Sequence, residues 1–285
     1  MFEVDDLFSL DALIWLQSGK RAGALLGANQ STISRRSRDC LQRLGLPLDH
    51  CSSCVQPQQP MQELLLMERQ VHQRHRWRGG APLRLLANHW VRCHLLEPLP
   101  PGWMSPAADL VRPHGDPLGL LEARIVDAAV LSGPEVRGLD RRRWRVVDLS
   151  ALPLEILVPA WHPLARERAL KAADLAILDP LTFSPIVPLP VQRVMEHLYG
   201  QLGAGRAAAV PSPNTAPPCM ATAFTRHLWP GYARLDVALP LAACDHLVVL
   251  AELPWEGRFD HLLDHLCRRL QELRGDVPGL HGLAP

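Results

Sequence analysis

Residues 22–35 read Ala22-Gly23-Ala24-Leu25-Leu26-Gly27-Ala28-Asn29-Gln30-Ser31-Thr32-Ile33-Ser34-Arg35, and the parsing of this stretch decides the fold. Ala22 to Leu26 suits a short helix. Gly27-Ala28-Asn29 then makes a tight turn, with Asn29 as N-cap for a helix from Gln30 to Leu44 that Gly45 closes. Upstream, Leu7 to Leu16 carries apolar residues at helical spacing, and Ser18-Gly19 ends the run. Three short helices with a turn of about three residues before the last make a helix-turn-helix. Val4, Leu7, Leu13, Leu26 and Ile33 are expected to form its core.

The charge distribution agrees. The formal net charge of the 285 residues is only +1. Yet Lys20, Arg21, Arg35, Arg36, Arg38 and Arg43 crowd between Gly19 and Leu46 against the single acid Asp39. A basic module on a nearly neutral protein suits an encounter with phosphate. A helix laid in the major groove must show donors and acceptors to base edges and cations to flanking phosphates. Gln30, Ser31, Thr32 and Ser34 meet the first need, Arg35 either, and Arg36 and Arg38 the second. The competing reading is a solvated charged face that touches nothing.

Pro47, Cys51, Ser52, Ser53, Cys54, Pro57 and Pro60 read as a loop or small wing. A helix follows from Met61 to about Trp77, with Met61, Leu64, Leu65 and Val71 on one face and Glu63, Glu68, Arg69 and Arg74 as polar neighbours. Arg78-Gly79-Gly80-Ala81-Pro82 breaks it and marks a domain boundary. Beyond lies an α/β pattern. Strands are expected at Leu83–Ala87, Ala128–Leu131, Leu154–Pro159 and His246–Ala251. Helices are expected near Trp90, at Pro117–Glu122, Pro190–Gln201, Pro217–Leu228 and Phe259–Leu273.

Hydrophobic residues make up 47% of the chain and charged residues 21%, which is globular. No apolar run reaches the roughly 20 residues of a membrane span, and the acidic start Met1-Phe2-Glu3-Val4-Asp5-Asp6 is unlike a signal peptide, so a cytoplasmic protein is expected. Seven irregularly scattered cysteines do not form a disulfide framework. His50-Cys51 and Cys54 resemble half of a zinc or redox site, but no second ligand pair lies nearby, so no metal is expected. Neither a phosphate-cradling loop nor a nucleophile elbow is present in convincing context, so no catalytic residues and no cofactor are expected.

The quoted stretch resembles the signature of the LysR-type transcriptional regulators. Further matches follow in family order: Leu44-Gly45-Leu46-Pro47-Leu48, Leu83-Arg84-Leu85-Leu86-Ala87, Leu120 to Val130, Ile156 to Ala165, and Ala173-Asp174-Leu175. The resemblance implies an α/β protein with an N-terminal winged helix-turn-helix plus linker helix, followed by a two-lobed periplasmic-binding-protein-like effector domain. The corresponding domains are 1–59 for DNA binding, 60–78 for the linker and dimerisation helix, and 82–285 for effector binding. Within the last, lobe I is 82–152 with 258–285 and lobe II is 153–257, with crossovers near Ala151–Pro153 and Trp255–Arg258.

Ligand clefts in such domains form where strands end and helices begin. Asn88 and Trp90, Ser132, and Thr182 with Ser184 hold such positions and are the candidate effector residues. Asn214-Thr215 is a further helix start. The partners implied are double-stranded DNA, a small anionic effector, and further copies of the chain as a homodimer or homotetramer, with no membrane. The alternatives are an effector-independent regulator, a redox-responsive one acting through Cys51 and Cys54, and a two-lobed α/β enzyme.

Overall fold

The computed structural model describes residues 3–45, 59–110, 115–203, 217–239, 241–253 and 257–282. In chain order its elements are α1 (Val4–Leu16), α2 (Gly19–Leu26), α3 (Gln30–Arg43), α4 (Gln59–Trp77), β1 (Leu83–Ala87), α5 (His89–His94), β2 (Trp103–Met104), α6 (Pro117–Glu122), β3 (Ala128–Ser132) and α7 (Gly133–Val136). Then come β4 (Trp144–Pro153), β5 (Glu155–Pro159), α8 (Leu189–Gln201), β6 (Cys219–Ala221), β7 (Tyr232–Arg234), β8 (Ala242–Leu250), α9 (Arg258–Arg274) and β9 (His281–Gly282).

Local chemistry explains the first three helices. The Ser18 hydroxyl accepts from the Arg21 backbone N–H at 3.4 Å and starts α2, and Gly27 ends it at φ +62°. Gly23 lets α2 meet the turn, because a Cβ there would stand 2.4 Å from the Ala28 carbonyl oxygen. Asn29 holds the N-cap position of α3 with extended backbone, although its side chain makes no capping bond. Leu7, Leu10, Cys40, Leu41 and Leu44 form the core, which Leu65 of α4 completes. Ile33 is also fully buried, whereas Val4 is 54% exposed and Leu13 and Leu26 are half-buried. Val4 therefore leaves the expected core.

The larger sheet has the order β2-β1-β3-β8-β4-β9 and the smaller the order β6-β5-β7. β1 runs parallel to β2 and β3, with Leu85 opposite Ala128 and Ala87 opposite Val130. β3 is apolar without alternation because its Ala128, Ala129, Val130 and Leu131 are all buried, as in a strand covered on both faces. β5 is antiparallel to both its neighbours, pairing Ile156 with Met220 and Val158 with Ala233. The core beside it gathers Leu154, Ile156, Val158, Leu175, Met195 and Tyr199.

Three expectations change. The region Pro217–Leu228 is not a helix: Cys219–Ala221 pairs with β5 as strand β6, and only Arg226–Leu228 coils, as a 3-10 turn. Pairing with a buried strand outweighs local helix propensity there. The ten-residue β4 was not expected, since Arg145, Asp148 and Ser150 interrupt its apolar pattern. The strand expected at His246–Ala251 begins at Ala242 and lies between β3 and β4, so the return from the smaller sheet falls between Arg234 and Ala242 rather than near Trp255–Arg258.

Two compact units divide the chain. The first comprises Met1–Val130, Asp140–Arg145 and Val248–Leu263, and the second Leu131–Leu139, Val146–Leu247 and Asp264–Pro285.

Candidate functional site

The inner face of α3 is set by Ile33, Ser37, Cys40 and Leu41, all buried. Burial fixes the outer face by helical periodicity: Gln30, Ser31, Ser34, Arg35 and Arg38 are exposed along it, and Thr32 is half-buried at its edge. The Gln30 side chain lies over Gly19, where a Cβ would come within 2.8 Å of its Cγ. Arg36 turns back to α1 and pairs with Asp5 at 3.4 Å, and Arg43 stands 3.8 Å from Asp6. Arg21 donates to the Leu110 carbonyl at 3.3 Å, so this basic residue is engaged within the chain. What faces outward on α3 is amide, hydroxyl and guanidinium, the groups that read base edges and phosphates.

Behind this helix lies a charged cluster that the sequence reading missed. Asp11 of α1 accepts from Arg69 of α4 at 2.7 Å and from Arg84 of β1 at 2.8 Å. Arg76, seven residues along α4 from Arg69, makes two bonds to Asp127, at 2.8 and 2.9 Å. Asp127 also accepts the Arg84 backbone N–H at 2.8 Å. All five side chains are buried. Three guanidiniums face two carboxylates, and the excess positive charge is met by the Ile125 carbonyl, 3.0 Å from Arg84, and by the Phe8 ring, whose centre lies 3.9 Å from the same guanidinium. Burial, and then the neighbouring Arg76, lower the pKa of Arg84. The visible signal was an arginine inside the apolar strand Leu83-Arg84-Leu85-Leu86-Ala87. Such a charge needs a partner when its neighbours are buried.

The candidate effector residues are distributed over both units. In the first, Asn88 caps α5, its side-chain oxygen accepting from Val91 N–H at 2.9 Å, and Trp90 is half-buried on that helix. In the second, Ser132 caps α7 in a capping box whose Glu135 carboxylate accepts the Ser132 N–H at 2.9 Å. Burial raises the Glu135 pKa, and that hydrogen bond opposes the rise. Thr182 donates its N–H to the Pro218 carbonyl at 2.8 Å beside β6, and the Ser184 carbonyl accepts from Val187 N–H at 3.0 Å. α7 packs against α8, so Ser132 and the Thr182–Ser184 segment lead into adjoining helices. Next to Ser132, Gly133 faces His246 and Cys244 of β8, at 3.7 and 3.8 Å from an added Cβ. His246 Nδ1 lies 2.8 Å from Asp148 Oδ1. His246 and Asp148 had no motif to mark them.

His50, Cys51, Cys54, Asn214 and Thr215 lie outside the described residues. Among the described residues no group of three or more His, Cys, Asp or Glu could hold a metal ion, and no helix is long and apolar enough to cross a membrane. Burial lifts the Cys40 thiol to about 11 and the Cys219 thiol to about 12, which keeps both protonated at neutral pH.

No family model and no curated protein matches the sequence. Solved structures do match, over 94–96% of the chain. A mutant of full-length BenM is 16% identical at a TM-score of 0.51, covering 96% of this chain and 97% of its own. Full-length CbnR, complexed with its target DNA, is 14% identical at 0.50, covering 94% and 99%. HinK, a LysR family transcriptional regulator from Pseudomonas aeruginosa, is 15% identical at 0.50, covering 94% and 98%. The fold is that of the LysR-type regulators, a helix-turn-helix followed by a mixed α/β region.

Proposed function

We propose that this chain is a cytoplasmic DNA-binding transcriptional regulator, not an enzyme, whose α3 enters the major groove and whose C-terminal region senses a small, anionic molecule. The observation that carries the reading is the outward face of α3. Gln30, Ser31, Ser34, Arg35 and Arg38 project along one side of a helix whose other side is core. The structural neighbour CbnR, which is held with target DNA, lends support from outside the chain.

A regulator of two-fold operators needs paired modules. α4 supplies a surface for that pairing. Leu64, Met67 and Val71 are 52%, 61% and 57% exposed, at spacings of three and four residues, so a second copy would shield them from water. Leu65, expected on this stripe, is instead 4% exposed inside the helix-turn-helix core. Each of the three exposed side chains offers up to about 1.5–3 kcal/mol on burial. Asn88, Trp90, Ser132, Thr182 and Ser184 stand as candidates for contacts with the small molecule. Alternation of a lobe arrangement would carry the signal only if the ligand favours one arrangement over the other.

Selection of duplexes from a random pool, followed by fluorescence anisotropy between 50 and 200 mM salt, is the test; these settings are roughly those over which phosphate contacts are lost. Specific binding that weakens steeply with salt is expected. Absence of binding to any duplex at the lowest salt would defeat the proposal.

A further inference from the structure

A cavity of about 340 Å³ opens in the second unit, and none of the five candidate effector residues lines it. Its walls include Leu154, Leu235, Val237, Leu239 and Ala223. At its rim the Glu155 carboxylate is gripped by Arg226, whose Nη2 lies 2.7 Å from both oxygens and whose Nε lies 3.1 Å from Oε2. Arg234 reaches the same carboxylate only at 3.5 Å. Two guanidiniums against one carboxylate leave one positive charge in excess, and the loosely held Arg234 has donors to spare. The Glu155 side chain is 13% exposed while that of Arg234 is 56% exposed, so the cation is the group within a ligand's reach.

Gly279, at φ +79°, lies so close to Pro153 that a Cβ there would stand 2.7 Å from the proline Cγ. The lining segments Pro153–Glu155 and Val237–Leu239 are also the two passages of chain between the larger and smaller sheets. The Leu154 N–H donates to the carbonyl of Leu241, two residues past the second segment, at 2.9 Å. A molecule seated here would touch both passages at once.

We propose that this cavity is a binding site for a small monocarboxylate with a short apolar tail, the carboxylate on Arg234 and the tail among Leu154, Leu235, Val237 and Leu239. The volume falls in the range of about 300–1,000 Å³ usual for small-molecule sites, and an apolar pocket with a few polar groups fixing orientation is their common design. The site stands on its own geometry and holds whether or not α3 binds DNA.

The test uses the full chain and three probes in calorimetry and saturation-transfer NMR: hexanoate, hexanol and acetate. Hexanoate should bind, with hexanol and acetate at least about tenfold weaker, each lacking one of the two recognised parts; tenfold is about 1.4 kcal/mol. Arg234→Gln should weaken hexanoate at least fivefold. Ala238→Trp, a substitution at an exposed lining position, should fill the space and do the same. Glu155→Gln should act oppositely and tighten hexanoate severalfold, by removing the competing carboxylate. Circular dichroism confirms that each variant is folded. No binding of hexanoate, equal binding of hexanol, or an affinity indifferent to both Arg234→Gln and Glu155→Gln would overturn the assignment.

Discussion

Two clusters of arginine around carboxylate do opposite things in this molecule. In the first unit, Asp11 and Asp127 are enclosed by Arg69, Arg76 and Arg84 with every side chain buried. In the second, Glu155 meets Arg226 and Arg234 at the edge of an open cavity, with both guanidiniums about half exposed. Identical chemistry thus makes a joint where solvent is excluded and a receptive rim where space is left. The joint ties α1 of the helix-turn-helix to α4 and β1, three elements far apart in sequence. The difference lies in desolvation: a buried charge that loses its partner is stranded, whereas an exposed one turns to water.

The largest expected effect is at the joint. Asp11→Asn leaves Arg69 and Arg84 without their anion and should cost about 3–5 kcal/mol in denaturant unfolding. Replacing all three charges by apolar residues, as Asp11→Leu with Arg69→Leu and Arg84→Met, should recover most of the loss, because a packed apolar cluster has no desolvation penalty to offset. A single Asp11→Asn change without effect would erase the distinction between the two clusters.

Next in size is the close approach beneath the turn. Gly23→Val should destabilise the helix-turn-helix by about 1–3 kcal/mol or more, since its Cβ would sit 2.4 Å from a backbone oxygen that cannot move without shifting α3. Hydrogen exchange of α1 to α3 checks this, and protection equal to the parent chain would contradict it.

At the rim, Arg226→Ala should cost no more than about 1 kcal/mol, as for other partly exposed pairs. A loss comparable to that of Asp11→Asn, read by the same denaturant method, would mean the two clusters are alike.

The smallest effect is a slope. Burial raises the folded-state pKa of Glu135 above the ordinary value of 4.5, so the folded chain holds this proton more tightly than the unfolded one. Its contribution is present below that ordinary value and is lost as pH rises through the raised one. Glu135→Gln should flatten the stability profile in this window while keeping an acceptor for the Ser132 N–H. An unchanged profile between the parent and Glu135→Gln would count against the burial argument.

Where local chemistry decides structure, the sequence was readable. Ser18, Gly27 and the apolar spacing of α1 and α3 placed the helix-turn-helix, and Pro117 at the start of α6 placed that helix to the residue. Where partners distant in sequence decide, it was not. β6 exists because β5 lies beside it, and β4 carries charges and a terminal proline that obscure its period. Leu65 looked like one more residue of an apolar stripe, and only the packing of α4 on Leu7, Leu10 and Leu41 shows that it is core. The exposed residues of α3 were legible because an amphipathic helix declares its inner face by periodicity. The pairing of Arg36 with Asp5 was not legible, since that partner sits on another helix.

The central claim, that α3 reads DNA, is tested most directly by anisotropy of the full chain on a selected duplex and on a scrambled duplex of equal length. Arg35→Ala should lose about 1–3 kcal/mol on the selected duplex and little on the scrambled one, whereas Arg38→Ala should weaken both and reduce the salt slope by about 1. Equal binding of the selected duplex by the parent chain and Arg35→Ala would contradict the assignment of α3 as the reading helix.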